Sequence, residues 1–177
     1  WLDQRKDSFF ALDTSPNVVN VFDRQGRPLK YFPLDESLKG PAFLGAADGV
    51  MYVKSGAATF AMSGNFSKAT SAEFFFAPPP QPDEATTTER YPLEFSAILP
   101  GDNGRIVGFD PKKKNIYSCD SNGDCRVFIR TVMKYGNDVM TGQIQTVYRD
   151  YWGRYFLVDR EARQIWKFDA NGRYLSK

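Results

Sequence analysis

The sequence predicts an all-β fold made by repeating one small antiparallel unit four times. Three observations predict it. Asp13, Asp23 and Gly26 recur as Asp110, Asp120 and Gly123 and again as Asp159, Asp169 and Gly172, always ten and three residues apart. No stretch sustains an apolar pattern at helical spacing, while aromatic residues make up 15% of the 177 residues and Val, Ile, Phe, Tyr and Thr concentrate in short runs. Fourteen Gly and eleven Pro supply the turns between those runs. A fixed-period repeat of short strands decides architecture before any local propensity does.

Each copy reads as an apolar run ending in Asp, a polar turn, a second apolar run ending in Asp, and a Gly turn into a third run. The copies are FFALDTSPNVVNVFDRQGRPLKYF (9–32), IVGFDPKKKNIYSCDSNGDCRVFI (106–129) and YFLVDREARQIWKFDANGRYLS (155–176). Asp110 and Asp159 are 49 residues apart, and Asp13 and Asp110 are 97 apart, so a diverged copy is expected between the first and third. Residues 45–74 fill that place, with strands at 50–54 and 58–62 and a Ser-Gly-Asn turn, but both Asp residues are lost. A further strand precedes each Asp-ended strand, clearest at Gln145–Arg149 and Phe95–Leu99. Four strands per unit at this period describe a propeller blade.

The predicted fold is therefore a single β-propeller-like domain over 1–177, with blades at about 1–33, 42–76, 94–133 and 143–177, either a closed four-bladed ring or part of a larger propeller. Asp at a strand end closes its turn by accepting backbone amides, and Asn-Gly at 122–123 and 171–172 tolerates the positive φ of a tight hairpin. Hairpin turns are expected at 23–26, 63–65, 120–124 and 169–172. The runs Val18–Phe22, Ile106–Phe109 and Tyr155–Val158 are apolar almost throughout, as sheets covered on both faces would be. The expected core is Phe10, Leu12, Val19, Val21, Tyr52, Phe60, Val107, Phe109, Ile116, Phe128, Phe156, Val158, Ile165 and Phe168. The segment 77–92, Pro-rich and then acidic and Thr-rich, is expected to be an exposed loop.

The fourth unit, RDYWGRYFLVDREARQIWKFDANGRYL (149–175), resembles the repeat of NHL-type β-propellers, which include the six-bladed gluconolactonase-like proteins. In that repeat one strand ends in Asp, an Arg- or Asn-containing turn follows, and a second strand ends in Phe-Asp-x-x-Gly. Phe22-Asp23-Arg24-Gln25-Gly26 repeats this phrase in the first unit. The resemblance implies a propeller fold and, in the gluconolactonase-like branch, a divalent cation held by Glu, Asn and Asp at a central channel. Such propellers usually have six blades, whereas this chain fills four.

Composition excludes several chemistries. Histidine is absent, which removes Ser-His-Asp and Cys-His mechanisms and imidazole-ligated zinc. The net charge of +2, from 23 basic and 21 acidic residues, argues against a strong electrostatic binder of nucleic acid or membrane. No apolar run approaches the roughly 18–20 residues that a membrane helix needs. No secretory signal pattern is present and the first residue is Trp, so the chain is expected to be a mature form or a portion of something longer.

Asp13, Asp110 and Asp159 are the candidate channel carboxylates, with turn closure as the alternative role. Asp120, Asn122 and Asp124 have the spacing that opens some calcium loops, but lack a distal carboxylate, so a plain hairpin tip is expected. Lys112–Lys114 reads as a solvated turn. Cys119 and Cys125 flank that hairpin at facing positions, where Cβ atoms lie about 4.5–5.5 Å apart, so a disulfide is expected. It would place the chain in the periplasm, at the cell surface or outside the cell. The densest aromatic and arginine cluster, around Tyr151, Trp152 and Arg154, is the expected contact surface for a protein partner. The expected function is a non-enzymatic interaction or structural module with no cofactor, no nucleic-acid partner and no membrane insertion. The alternatives are a metal-dependent hydrolase using channel carboxylates and, more weakly, an RNA-binding domain.

Overall fold

Among the described residues, turns separate twenty short strands and there is no helix. The structure is a computed structural model that describes residues 2, 3, 8–78 and 89–177. The chain falls into two units, 1–72 and 73–177.

The first unit holds two four-stranded antiparallel runs. Strands β1 (Leu2–Asp3), β2 (Ser8–Asp13), β3 (Val18–Asp23) and β4 (Pro28–Pro33) pair in chain order. Strands β5 (Ala42–Ala47), β6 (Val50–Ser55), β7 (Ala58–Met62) and β8 (Thr70–Ser71) do the same. The β5–β6 turn is Asp48-Gly49, with φ of 48° and 79°, the pair of left-handed residues that a two-residue hairpin requires. Val19, Leu34, Leu38, Met51, Val53, Met62 and Phe66 form this unit's core, with Phe10, Leu12, Phe32 and Phe60 packed against it.

The second unit adds strands β9 (Phe75–Phe76), β10 (Tyr91–Pro92), β11 (Ala97–Pro100), β12 (Ile106–Asp110), β13 (Asn115–Cys119) and β14 (Asp124–Arg130). They pair in the order β10-β9-β14-β13-β12-β11. A hairpin of β15 (Val132–Tyr135) and β16 (Asp138–Thr141) follows, then β17 (Ile144–Arg149), β18 (Tyr155–Asp159), β19 (Gln164–Phe168) and β20 (Tyr174–Ser176) in chain order. The core of this unit joins Val107, Phe109, Ile116 and Ile129 to Tyr155, Leu157, Trp166 and Phe168.

The expected strands and turns are present, but the arrangement as four four-stranded sheets is matched only in part: the first and fourth repeats form such sheets, whereas the strands of the third carry two more, β9 and β10. Phe75–Phe76 runs parallel to β14 and antiparallel to Tyr91–Pro92, so the end of the segment expected to be an exposed loop is a strand. Residues 79–88 of that segment lie outside the described residues. The parallel pairing depends on Gly123. A Cβ there would stand 2.1 Å from the Glu73 carbonyl oxygen, and φ is 79°, so only glycine admits the approach.

Side-chain parity corrects part of the expected core. Val19, Val21, Val107, Phe109, Ile116 and Phe168 are buried, and β12 is buried on both faces. Phe10, Leu12, Tyr52, Phe60, Phe128, Phe156 and Val158 are only half-buried, and Ile165 is 56% exposed. Successive side chains point to opposite faces of a strand, and in β18 and β19 the buried face belongs to Tyr155, Leu157, Trp166 and Phe168. The apolar run of β18 carries no alternation, so its inner face could not be read from composition, whereas in β19 Lys167 marks the outer face that Ile165 shares.

Ahead of the second repeat, between β4 and β5, Asp35 joins two segments. Its Oδ2 accepts the Ala69 amide at 2.8 Å and its Oδ1 accepts the Ser37 amide and hydroxyl. These bonds, the Ala69 amide first, hold its carboxyl near pKa 2, below the ordinary 3.8. Because the folded value is depressed, the associated stability is complete above about pH 4 and is lost as pH falls through about 2. Urea titrations between pH 2 and 5 are expected to show a flatter acid limb for Asp35→Asn than for the wild type; equal slopes would refute this.

The parity of β19 gives a second expectation. Trp166→Ala loses about 3–5 kcal/mol in urea unfolding, whereas Ile165→Ala loses less than about 1 kcal/mol. A larger loss at Ile165 would reverse the assigned faces.

Candidate interaction surface

The strand-end carboxylates are turned to backbone amides. Asp110, 2% exposed, accepts Lys112 and Lys113 amides in its own turn and the Glu94 amide at 3.0 Å. Asp159, fully buried, accepts the Ala162 amide, and both the amide and the hydroxyl of Thr141. Asp13 is exposed and accepts the Ser15 amide at 3.1 Å. The second repeat lacks an Asp at this position but not the bond. Ser55 ends β6, and its hydroxyl accepts the Lys39 amide at 2.9 Å and donates to the Lys39 carbonyl. Lys39, Glu94 and Thr141 each stand three residues ahead of the strand that opens their repeat (42, 97 and 144). The group at the end of the second strand thus ties down the chain entering the first. Among the described residues, no three His, Cys, Asp or Glu side chains gather as metal ligands would.

The second Asp of each repeat builds a five-residue loop. Asp23, Asp120 and Asp169 each donate their amide to the carbonyl four residues on, at 3.0, 3.1 and 2.9 Å, and accept the amide of Gly26, Gly123 or Gly172 at their own carbonyl. Their Oδ1 accepts two further amides of the loop at 2.8–3.0 Å. Asp120 is therefore held by the Asn122 and Asp124 amides, and the Asp124 carboxylate pairs with Arg90. Cys119 and Cys125 face each other across this hairpin and form a disulfide, with Cα atoms 4.0 Å apart. In the Lys112–Lys114 turn, Lys112 bonds Glu94 at 2.8 Å, which raises its pKa.

A fourth copy of the same loop carries the expected surface. Asp150 donates to the Arg154 carbonyl at 2.9 Å, Gly153 donates to the Asp150 carbonyl at 3.1 Å, and the Arg154 amide reaches Asp150 Oδ1 at 2.8 Å. Here the loop joins β17 to β18 rather than the third strand to the fourth. Tyr151 and Trp152 occupy the two positions that elsewhere hold Arg24-Gln25, Ser121-Asn122 and Ala170-Asn171. Tyr151 is 82% and Trp152 73% exposed, with ring centroids 6.1 Å apart in an edge-to-face arrangement.

Arg154 lies 4.8 Å from the Trp152 ring centroid and bridges to Asp150 at 2.6 Å. The structure thus brings Tyr151, Trp152 and Arg154 together. Desolvation pushes the Asp150 carboxyl up, but the Arg154 amide and guanidinium outweigh it and hold it below its ordinary value. Sequence spacing already contained this fourth Asp-x-x-Gly loop; its aromatic residues concealed the match. A cleft of about 360 Å³ bounded by Arg105, Arg126, Phe128, Tyr155 and Asn171 lies in the same unit, and Arg105 there is bonded to Ser118 at 2.8 and 2.9 Å.

The all-β chain of repeated antiparallel sheets is similar in fold to solved propeller-type structures. A protein of unknown function from Bacteroides thetaiotaomicron matches with a TM-score of 0.61 at 13% identity, over 95% of this chain and 44% of that one. Virginiamycin B lyase from Staphylococcus aureus matches with a TM-score of 0.54 at 11% identity, over 99% of this chain and 53% of that one. A streptogramin B lyase gives 0.54 at 11% identity, over 95% and 64%. The chain thus spans about half the length of the first two. At these identities the likeness establishes the fold alone. No known protein family matches the chain, and no curated protein does.

The buried strand-end carboxylates should matter to stability in proportion to what they hold. Asp159→Ala and Asp110→Ala each leave amides without acceptors and are expected to cost about 1–3 kcal/mol in chemical denaturation. Asp13→Ala, at an exposed turn, should lie within the scatter of surface substitutions. Equal losses at all three positions would contradict the tie to the preceding chain.

Proposed function

We propose that this chain is a non-enzymatic interaction module: a set of NHL-like propeller blades that presents the 150–154 loop to a protein partner. One observation carries the proposal. The Asp-x-x-Gly loop is closed by its backbone and its Asp carboxylate, and its three other copies place polar or small residues at the positions of Tyr151 and Trp152. Two large aromatics there serve no turn and no core. Tyr, Trp and Arg supply rigid contact area at little entropic cost, and they dominate protein interfaces. The Arg154–Trp152 stacking and the Asp150 bridge fix the set in place before any partner arrives.

The surroundings support this assignment. Of the strand-end Asp groups that a channel cation would need, Asp110 and Asp159 have both oxygens committed to protein donors, which favours the interaction module over a lactonase-like hydrolase. The disulfide supports a periplasmic, surface or extracellular location, and no partner of nucleic acid or membrane is invoked.

The double substitution Tyr151→Ser and Trp152→Asn, which copies the Asp120 loop, tests the proposal. The melting temperature is expected to stay within about 2 °C. A photo-crosslinking residue placed at position 151 should give a discrete adduct in an envelope or secreted fraction of the source cell, and Trp152→Asn should abolish it. Divalent-metal-dependent lactone hydrolysis that survives the double substitution, or no adduct from position 151, would overturn the proposal.

A further inference from the structure

Two guanidinium groups of the second unit are gathered around one serine. Val107, Ser118 and Arg126 form a row across β12, β13 and β14, with Arg126 directly opposite Ser118. Arg105, just ahead of β12, donates Nε to the Ser118 hydroxyl at 2.8 Å and Nη2 to the Ser118 carbonyl at 2.9 Å. Both acceptors are neutral. Arg105 is half-buried, and among the described residues neither it nor Arg126 has a carboxylate partner; the Arg126 side chain has no polar partner at all.

The carboxylates around them are engaged elsewhere. Asp102 pairs with Arg149, and Asp124, two residues before Arg126, pairs with Arg90. Asp169 turns its Oδ1 to the Asn171 and Arg173 amides of its own loop. Like charges brought together, one of them partly withdrawn from water, cost free energy that an anion between them offsets.

Both arginines line the cleft of about 360 Å³. Its apolar wall is Val107, Phe128 and Tyr155, with the Phe128 and Tyr155 ring centroids 5.2 Å apart. Arg105, Arg126 and Asn171 supply donors on the other side. A carboxylate on a short methylene stem matches that division, since the guanidinium fork fits its two oxygens. Asp102, also on the lining, opposes the second charge of a phosphate dianion.

The cleft borders the 150–154 loop. A Cβ on Gly153 would stand 3.0 Å from Arg149 Nη2 and 3.3 Å from the Ala170 Cβ. Ala170 lines the cleft, and so does Asp102, the partner of Arg149. A segment seated on Tyr151 and Trp152 therefore has the two arginines beside it.

We propose that this cleft takes an acidic side chain of the protein partner that meets the 150–154 loop. The inference rests on that reading of the loop and adds the partner's chemistry, an acidic segment. Arg105 and Arg126 hold the carboxylate, and Val107, Phe128 and Tyr155 cover its methylenes. Ser118 keeps Arg105 in place before the partner arrives.

Anisotropy titration with a labelled oligoglutamate peptide, capped at both ends, tests the cleft without the natural partner. Oligoglutamate should bind the wild type, and oligoglutamine of the same length should not. Arg126→Gln should weaken binding at least about tenfold with an unchanged melting temperature, because Arg126 holds nothing in the fold. Arg160→Gln, just past the far end of β18, should leave binding as it is. Equal losses at Arg126 and Arg160, no loss at Arg126, or no binding at about 1 mM peptide overturns the inference. Displacement of the peptide by free glutarate at equal carboxylate concentration also overturns it, because the site then serves a small acid. The two readings fail separately. Peptide binding that depends on Arg126, with no crosslink from position 151, removes the loop and keeps the cleft as an acidic-peptide site. A crosslink at 151 without an Arg126 effect on the peptide does the reverse.

Discussion

Each repeat depends on one polar group at the end of its second strand. In the first, third and fourth repeats that group accepts amides of the turn that follows, and in the second, third and fourth it holds the chain three residues before the repeat begins. A sheet of short strands would otherwise be tied to the preceding segment only by apolar contact, which has no direction. A hydrogen bond to a buried acceptor is directional, and a donor left without one is costly. The bond therefore fixes where a new sheet starts, and the pleat then decides which residues face inward. Ser55 shows that the requirement is for an acceptor in that place and not for a charge.

The same constraint bears on function. In a propeller, carboxylates repeated at strand ends suggest a ring of ligands. Here Asp110 and Asp159 direct their oxygens at amides and are withdrawn from solvent. What is left for recognition is whatever the frame does not need. The Asp-x-x-Gly loop is closed by its own backbone and by the Asp carboxylate, so the side chains at its two central positions are free to vary. Three copies fill them with small or polar groups and the fourth with Tyr151 and Trp152. Contact surfaces on repeat folds arise in this way, from variation at positions the scaffold leaves open.

Much of the architecture was legible in the sequence because turn chemistry is local. The Asp and Gly spacing located the hairpins, and facing positions at the neck of one of them located the Cys119–Cys125 disulfide. What stayed hidden was non-local. Ser55 could not be recognised as the counterpart of Asp110 until the Lys39 backbone was seen beside it. The choice of Trp166 over Ile165 for the core was marked only by Lys167, which shares the parity of Ile165 in an otherwise apolar stretch. Phe75–Phe76 pairs in parallel with a strand some fifty residues later, and no local pattern announces such a pairing. The hairpin at 132–141 was missed because its strands are short and its outer residues, Val132 and Val139, are apolar but exposed. Tyr151 and Trp152 were found as a cluster, while the loop that displays them was identified only by its hydrogen bonds.

Native-state hydrogen exchange of the Lys39, Glu94 and Thr141 amides tests the central constraint most directly. These amides lie outside or at the very end of the strands, where loop amides ordinarily exchange through local fluctuation. If strand-end groups anchor each repeat, all three should exchange near the rate set by opening of their own sheet, within about tenfold of the slowest amides of β6, β12 and β18. Exchange at the rate of exposed loop amides, while those strands remain protected, would show that the sheets are placed by apolar packing alone.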